Sequence, residues 1–346
     1  MEDRERVYLN VAKGVAVFLM LWGHCIQYCA LDSFDFFENI VFKVIYSFHM
    51  PLFMLISGYL FFFSFEKRDL KTLLIHRTQN LLQPIVFASI LNSILIKIPD
   101  LSFNLLDGAL FDQMQSLWFL WCVLSSSLAV GIGCKITKNA WLQMVYCVLG
   151  ILLVGMFPNI HMHLFMYPYF VIGFVYGKYK DAIPEQMKKL RYLSLLAFPV
   201  MLLFYQKKHY IYITPIYDSR MPAMEWITIS AFRWAIGLVG CLFVLCIISL
   251  LSRLIKEESM KAMKWIPCLG ENSLAIYCLS VSLLSSYLPR IYNWVVQMLG
   301  YNLFAENMML YNLVFTPLLT VLYALILLGA IRVLKKCNLY HLIFRR

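Results

Sequence analysis

Long apolar runs, each closed by a short polar or charged cluster, repeat along the whole chain. A helix rises about 1.5 Å per residue, so about 20 apolar residues cross ~30 Å of hydrocarbon. A helix also satisfies its own backbone polar groups where no water can. Runs of this kind fall at 7–30, 39–64, 78–98, 117–133, 140–157, 163–179, 190–206, 226–252, 270–288 and 308–334. The pattern predicts an all-α polytopic integral membrane protein with about ten transmembrane helices in one bundle. Pro, Asp, Asn or clustered Lys/Arg occupy the breaks, as turns require. No soluble domain, low-complexity stretch or internal repeat is legible, so 1–346 reads as a single transmembrane domain.

Composition strengthens this reading. Hydrophobic residues make up 61% of the chain and charged ones 14%, against about 25% charged in soluble domains. The 26 Phe, 21 Tyr and 8 Trp suit a protein with two long membrane interfaces. The first run is interrupted by Lys13 and lacks a small-residue cleavage site, so it reads as a retained helix, not a signal peptide. The ten cysteines form no CxxC, and most sit in apolar runs as small buried hydrophobes. His161 and His163 read as loop residues, and no metal site is expected.

The net charge of +11 does not point to nucleic acid, because its distribution is topological. The N-terminus, the segments 65–77, 134–139, 178–191 and 253–264, and the tail hold 22 Lys and Arg. The intervening loops hold 4, namely Lys207, Lys208, Arg220 and Arg290. The positive-inside rule then puts both termini in the cytoplasm of a plasma membrane, with anionic lipid within reach of the basic face.

Four basic residues remain inside the predicted spans: Lys13, Lys43, Lys97 and Arg233. Lys43 and Lys97 lie near outer ends and can snorkel. Arg233 sits two turns into its helix, where a buried structural role and a cavity-facing one both stand. Lys13 and His24 are eleven residues apart, about three turns plus 20° of helix, which puts both on one face about 16 Å apart. That face carries a cation at one end and a proton acceptor at the other. The second helix contains SFHMPLFMLISGYLFF, where His49, Pro51, Ser57 and Gly58 together suit a cavity wall better than a lipid face.

These stretches carry a resemblance. RVYLNVAKGVAVFLMLWGH, SFHMPLFMLISGYLF, HRTQNLLQP, LWFLW, YPYFVIGFVYGK and LGENSLAIYCLS occur in that order. Together they resemble the membrane-bound acyltransferase 3 family, in its sugar O-acetylase (fucose 4-O-acetylase-like) branch. The resemblance implies transfer of an acyl group, commonly acetyl, from cytoplasmic acyl-CoA to a hydroxyl of an extracytoplasmic or lipid-linked glycan of the cell envelope. It assigns His24 as general base and Lys13 with Arg77 to the coenzyme A phosphates. His49, Ser57, Trp118 and Arg233 then fall to the acceptor, and Asn10 to the catalytic group. Three positions depart from the family pattern: Asn10 stands for an Asp, Asn80 for an Arg, and Ser280 for a His. Glu271, after Gly270, is expected to cap the ninth helix.

Two other readings fit ten spans. One is a glycan-precursor transporter or flippase, though the pathway charges and repeat symmetry such a protein favours are not visible. The other is an inactive scaffold, which Asn10 and Asn80 suggest. The charge asymmetry makes a prediction independent of all three. In a cysteine-free background, Ile343→Cys should resist an impermeant maleimide in intact cells and react after permeabilisation. Labelling in intact cells would reverse the topology.

Overall fold

The structure, a computed structural model, describes residues 3–30, 35–97, 109–254, 264–300 and 306–344. Most of the basic segment 253–264, and Arg345 and Arg346, lie outside these. Among the described residues every regular element is helical. Six helices among the described residues are long and apolar enough to cross a bilayer: Glu5–Tyr28, Ile40–Lys67, Leu70–Lys97, Trp118–Ile136, Ala223–Ser252 and Met308–Lys336. A seventh crossing results if Ser273–Val281 and Ser286–Met298, bent by 64° to each other, form one span.

The other expected spans are shorter or less apolar. The run at 140–157 is a 15-residue helix, Ala140–Val154, and that at 190–206 contains a 10-residue helix, Ser194–Leu203. At about 1.5 Å per residue these reach about 22 and 15 Å. The run at 163–179 lies in the 20-residue helix Ile160–Tyr179, whose apolar character is diluted by His161, His163 and Lys178.

The chain forms two compact units from interleaved segments. The first comprises Met1–Ala12, Tyr46–Leu81 and Trp118–Met263; the second comprises Lys13–Ile45, Leu82–Leu117 and Lys264–Arg346. Three unit boundaries fall inside helices, here α1 (Asp3–Tyr28), α2 (Ile40–Lys67) and α3 (Leu70–Lys97).

In the first unit, α4 (Trp118–Ile136) packs on α5 (Ala140–Val154) and α6 (Ile160–Tyr179), while α7 (Ser194–Leu203) packs on α8 (Ala223–Leu254). The α2–α6 seam is made by glycines. A Cβ on Gly58 would collide with the Phe170 carbonyl oxygen, and one on Gly173 with that of Leu55. The two backbones therefore touch, as small residues allow where helices associate without help from water. Phe61, Phe65, Phe170 and Phe174 fill the seam, with ring centroids 5.2–5.9 Å apart across it.

The second unit fixes α1 from one side. Gly14 abuts the Ile266 carbonyl of α9 (Trp265–Glu271), and Phe18 meets Trp265 with ring centroids 5.9 Å apart. Further along, Trp22 Nε1 donates to Thr316 Oγ1 at 2.8 Å and the Tyr311 hydroxyl donates to the Ile26 carbonyl at 3.0 Å. Tyr311–Phe315 is a π-helical turn leading into α11 (Thr316–Lys336), which packs on α10 (Ser273–Leu299). Asn39 caps α2 through the Val41 and Phe42 amides and donates to Asn312 at 2.8 Å.

Glu271 does not cap α10. It ends α9, and Asn272 precedes the first turn of α10 with its amide bonded back to the Cys268 carbonyl. The break falls one residue later than the Gly270–Glu271 pair suggests.

Gly58→Val should separate α2 from α6. Overpacking of a closed seam costs about 1–3 kcal/mol, so the purified variant should melt several degrees below wild type in detergent. Ser57→Val, beside it and off the seam, should melt close to wild type. Equal melting of Gly58→Val and wild type would show that the seam is not closed.

Candidate active site

α1 runs unbroken from Asp3 to Tyr28, so Lys13 and His24 do share a face, about 16 Å apart. Val17 and Met20 lie between them on that face and are 0% and 1% exposed. A strip this buried looks into protein and not into lipid. On a wheel of about 100° per residue, the face lies some 120–180° from Phe18 and Trp22, the residues that brace α1. The packing thus fixes the helix through one side and leaves the Lys13–His24 side for other contacts.

The two ends differ in their partners. Lys13 is half-buried and interacts electrostatically with Glu271 of the same unit. Sequence reading missed this carboxylate as a partner because it placed Glu271 at a helix cap. His24 is half-buried, its Nδ1 lies 3.2 Å from Gln27 Oε1, and its ring stacks on Tyr28 at 5.8 Å. Residues i+3 and i+4 lie beside i on a helix, so Gln27 and Tyr28 are where a side chain would orient this imidazole. With Nδ1 donating to Gln27, Nε2 is the acceptor of the neutral ring. Asn10 is half-buried one turn before Lys13.

The remaining site residues belong to the first unit. His49 is 3% exposed, and its ring centroid is 4.7 Å from that of Tyr46. Tyr46 meets Tyr212 at 6.2 Å, and Tyr212 meets Trp118 at 6.4 Å. The structure therefore joins His49 to Trp118 through two tyrosines that the sequence reading did not single out. Ser57 is half-buried two turns further along α2.

Arg77 sits with its guanidinium 4.8 Å from the Phe61 ring, and its Nε is buried without a hydrogen-bond partner. Arg68 lies in the same cluster, bonded to Ser64 at 2.7 Å and within 3.3 Å of His76. Asn80 Nδ2 lies 3.2 Å from the same His76 nitrogen, Nε2, and 3.3 Å from Nδ1. The position where the family pattern expects Arg is thus filled by an amide that holds His76, and Arg68 supplies the second guanidinium. Its i, i+8 spacing to His76 across the α2–α3 turn hides this from helical periodicity.

Arg233 is 2% exposed and largely engaged. Nε donates to the His209 carbonyl at 2.8 Å and Nη2 to the Thr214 carbonyl at 2.9 Å, while Nη1 has no hydrogen-bond partner. It clamps the loop between α7 and α8. His209 in that loop is held well below the usual histidine range, to about 4, first by burial and then by Lys208 and Arg233. It is therefore neutral at pH 7, and its Nδ1 accepts the Gln206 amide at 2.8 Å.

His163 is 1% exposed, with Nδ1 2.7 Å from Ser125 Oγ. Among the described residues no group of three His, Cys, Asp or Glu side chains is placed to hold a metal. Eight of the ten cysteines are buried, with Cys268 half-buried and Cys337 exposed.

The family of acyltransferase domains (acyltransferase 3) matches residues 6–333. Among curated proteins, the nodulation protein NolL of Sinorhizobium fredii is 29% identical over 199 residues, 56% of this chain and 54% of that protein. The NolL of Mesorhizobium japonicum is 26% identical over 179 residues, 49% of this chain and 47% of its own length. The matched region thus spans about half the length of each relative. No solved structure matches the chain. With nearly its whole length matched and at least six helices fit to cross a bilayer, the chain is an integral membrane protein and belongs to the acyltransferase 3 family.

Proposed function

We propose that this protein is a membrane O-acyltransferase. It moves an acyl group, in the simplest case acetyl, from cytoplasmic acyl-CoA to a hydroxyl of an extracytoplasmic or lipid-linked glycan. The observation that carries the reading is the α1 face, where Lys13 and His24 stand about 16 Å apart at the ends of a strip turned into protein.

On this reading Lys13 and Arg77 hold phosphates of the donor, and the pantetheine arm brings the thioester toward His24. Arg77 suits that role because a buried Nε has no partner of its own, and a charge-assisted bond to phosphate is among the stronger ones. His24 takes the proton of the acceptor hydroxyl through Nε2. The oxygen bonds to the thioester carbonyl carbon, the carbon–sulfur bond breaks, and the thiolate of coenzyme A recovers the proton. Imidazole suits the step because its ordinary pKa lies near neutrality. Asn10 lies within one turn of Lys13 and supports the inner end. The aromatic group around His49, with Trp118, Tyr46 and Tyr212, offers faces for a sugar ring, and Ser57 a hydroxyl. Arg233 contributes through the loop it clamps and its remaining Nη1 donor.

The same reading takes 1–346 as one acyltransferase domain with about ten crossings, both termini cytoplasmic, in a bacterial plasma membrane. Three helices shared between the two units support treating them as one domain.

A positioned base contributes about 10²–10⁴-fold. His24→Ala should lose at least about a hundredfold in acetyl transfer from acetyl-CoA while binding coenzyme A nearly as wild type. The double variant Lys13→Ala, Arg77→Ala should show the reverse, with coenzyme A affinity falling about tenfold to a hundredfold in calorimetry. Deleting the gene should remove an acyl mass increment from the glycans of the cell envelope. Near-normal transfer by folded His24→Ala would end its role as base. Unaltered coenzyme A affinity in the double variant would remove Lys13 and Arg77 from the donor site, and absence of acyl-CoA hydrolysis by the purified wild type would favour a transporter or scaffold.

A further inference from the structure

A cavity of about 540 Å³ lies wholly within the first unit, and nothing in the proposed acyl transfer uses it. Its volume is that of a small-molecule pocket, about 300–1,000 Å³. The inner wall is aliphatic, made by Leu9, Leu55, Leu238, Leu242 and Leu245. The charged lining comprises one carboxylate, Glu5, and three cations, Lys180, Lys188 and Arg191.

Glu5 is already satisfied. Lys180 Nζ lies 2.7 Å from its carboxylate and 2.9 Å from the Tyr59 hydroxyl, and that hydroxyl also bonds to Glu5. Lys188 pairs with Glu185 in an exposed bridge at 2.8 Å, an interaction worth little in water. Arg191 is hydrogen-bonded to the Tyr192 side chain and lies against its ring at 5.3 Å, while its Nε is buried without a hydrogen-bond partner. The rim therefore has an excess of positive charge and a buried donor awaiting an acceptor.

The flank of the cavity is open through apolar side chains. Tyr176 is 46% exposed, Met187 58% and Leu190 57%. A soluble anion could use the rim but would leave the aliphatic volume filled with water. An apolar molecule would fill the volume but leave the buried Arg191 Nε unanswered. A molecule that joins the two is an amphiphile with a phosphate head and an acyl chain. The three cations of the lining all belong to the segment 178–191, which the charge asymmetry assigns to the cytoplasmic side, where the leaflet is anionic.

We propose that this cavity is a binding site for one anionic phospholipid of the bilayer, its phosphate on Arg191 and Lys188 and one acyl chain against Leu55, Leu238 and Leu242. The site stands on its own residues and is independent of the acyl-transfer reading.

The test is native mass spectrometry of the purified full chain, titrated with dioleoyl phosphatidylglycerol and, separately, dioleoyl phosphatidylcholine. Wild type should retain one phosphatidylglycerol in preference to phosphatidylcholine. Arg191→Gln with Lys188→Gln should weaken that retention about tenfold or more, and Arg191→Lys should largely keep it. Leu242→Trp, which fills the cavity and leaves the rim intact, should weaken it as well. Where Leu242→Trp does not elute as a folded species, the comparison of the Gln and Lys variants decides. Glycerol 3-phosphate and palmitoyl-CoA serve as competitors. Equal retention in wild type and the Gln variant would mark the lipid as part of the general annulus and overturn the site. So would equal retention of the two lipids, binding of glycerol 3-phosphate with no hold on the lipid, or occupation by palmitoyl-CoA in preference to it.

Discussion

A polar side chain on an apolar helix must find its partner inside the protein, because the surrounding medium offers none. That constraint organises this molecule more than hydrophobic burial does, since lipid is as apolar as leucine. His24 leans on Gln27, His163 on Ser125, Asn39 on Asn312 and Trp22 on Thr316. Each pair ties one helix turn or two helices into a single register. Where no polar pair is available, glycine brings the backbones themselves together, as at Gly58 and Gly173. The Lys13–His24 face is therefore set by bonds made elsewhere on α1. Trp22 and Ile26 fix the rotation of the helix, and the face follows.

Periodicity and hydropathy carried the architecture a long way. They place α1, α2, α4 and α8 within a few residues of their observed bounds and find α3 and α11 with one end displaced by eight residues, because a long apolar run has few alternatives to a helix. They do less well at 190–206. Hydropathy sums apolar residues without regard to where the chain leaves the helix, and here it leaves after Leu203, with Phe204 and Leu203 exposed. The run was long enough; the helix was not. Glu271 shows the same weakness at the scale of one residue.

The site was legible where it lies along one helix and illegible where it is assembled from several. The Lys13–His24 spacing is a property of α1 alone, so counting residues finds it. Tyr46 and Tyr212 are 166 positions apart, a separation across which sequence period says nothing. Arg68 was counted among loop charges, and only the turn between α2 and α3 brings it to His76. Glu271 was assigned to a cap, and only the position of α9 makes it the counter-charge of Lys13. In each case the missing information was which helix stands opposite, not what the residue could do.

The three arginines with an unpartnered buried nitrogen divide by what the rest of each guanidinium is doing. Arg233 gives its Nε and Nη2 to carbonyls of the loop between α7 and α8, so the charge is bound into the fold. Removing it would strand those carbonyls in a buried place, at a cost of about 1–3 kcal/mol each. Arg77 rests on the face of Phe61, Arg191 is hydrogen-bonded to Tyr192 and lies against its ring, and each keeps Nε without an acceptor. A ring face and a neutral phenol hydroxyl are weaker partners for a guanidinium than an anion is, so donors remain for one at both places. An incoming phosphate would therefore meet little competition at Arg77 or Arg191 and strong competition at Arg233. On that ground the two anion sites proposed for the molecule are placed at the first pair, and Arg233 is better suited to holding the loop that ends α7.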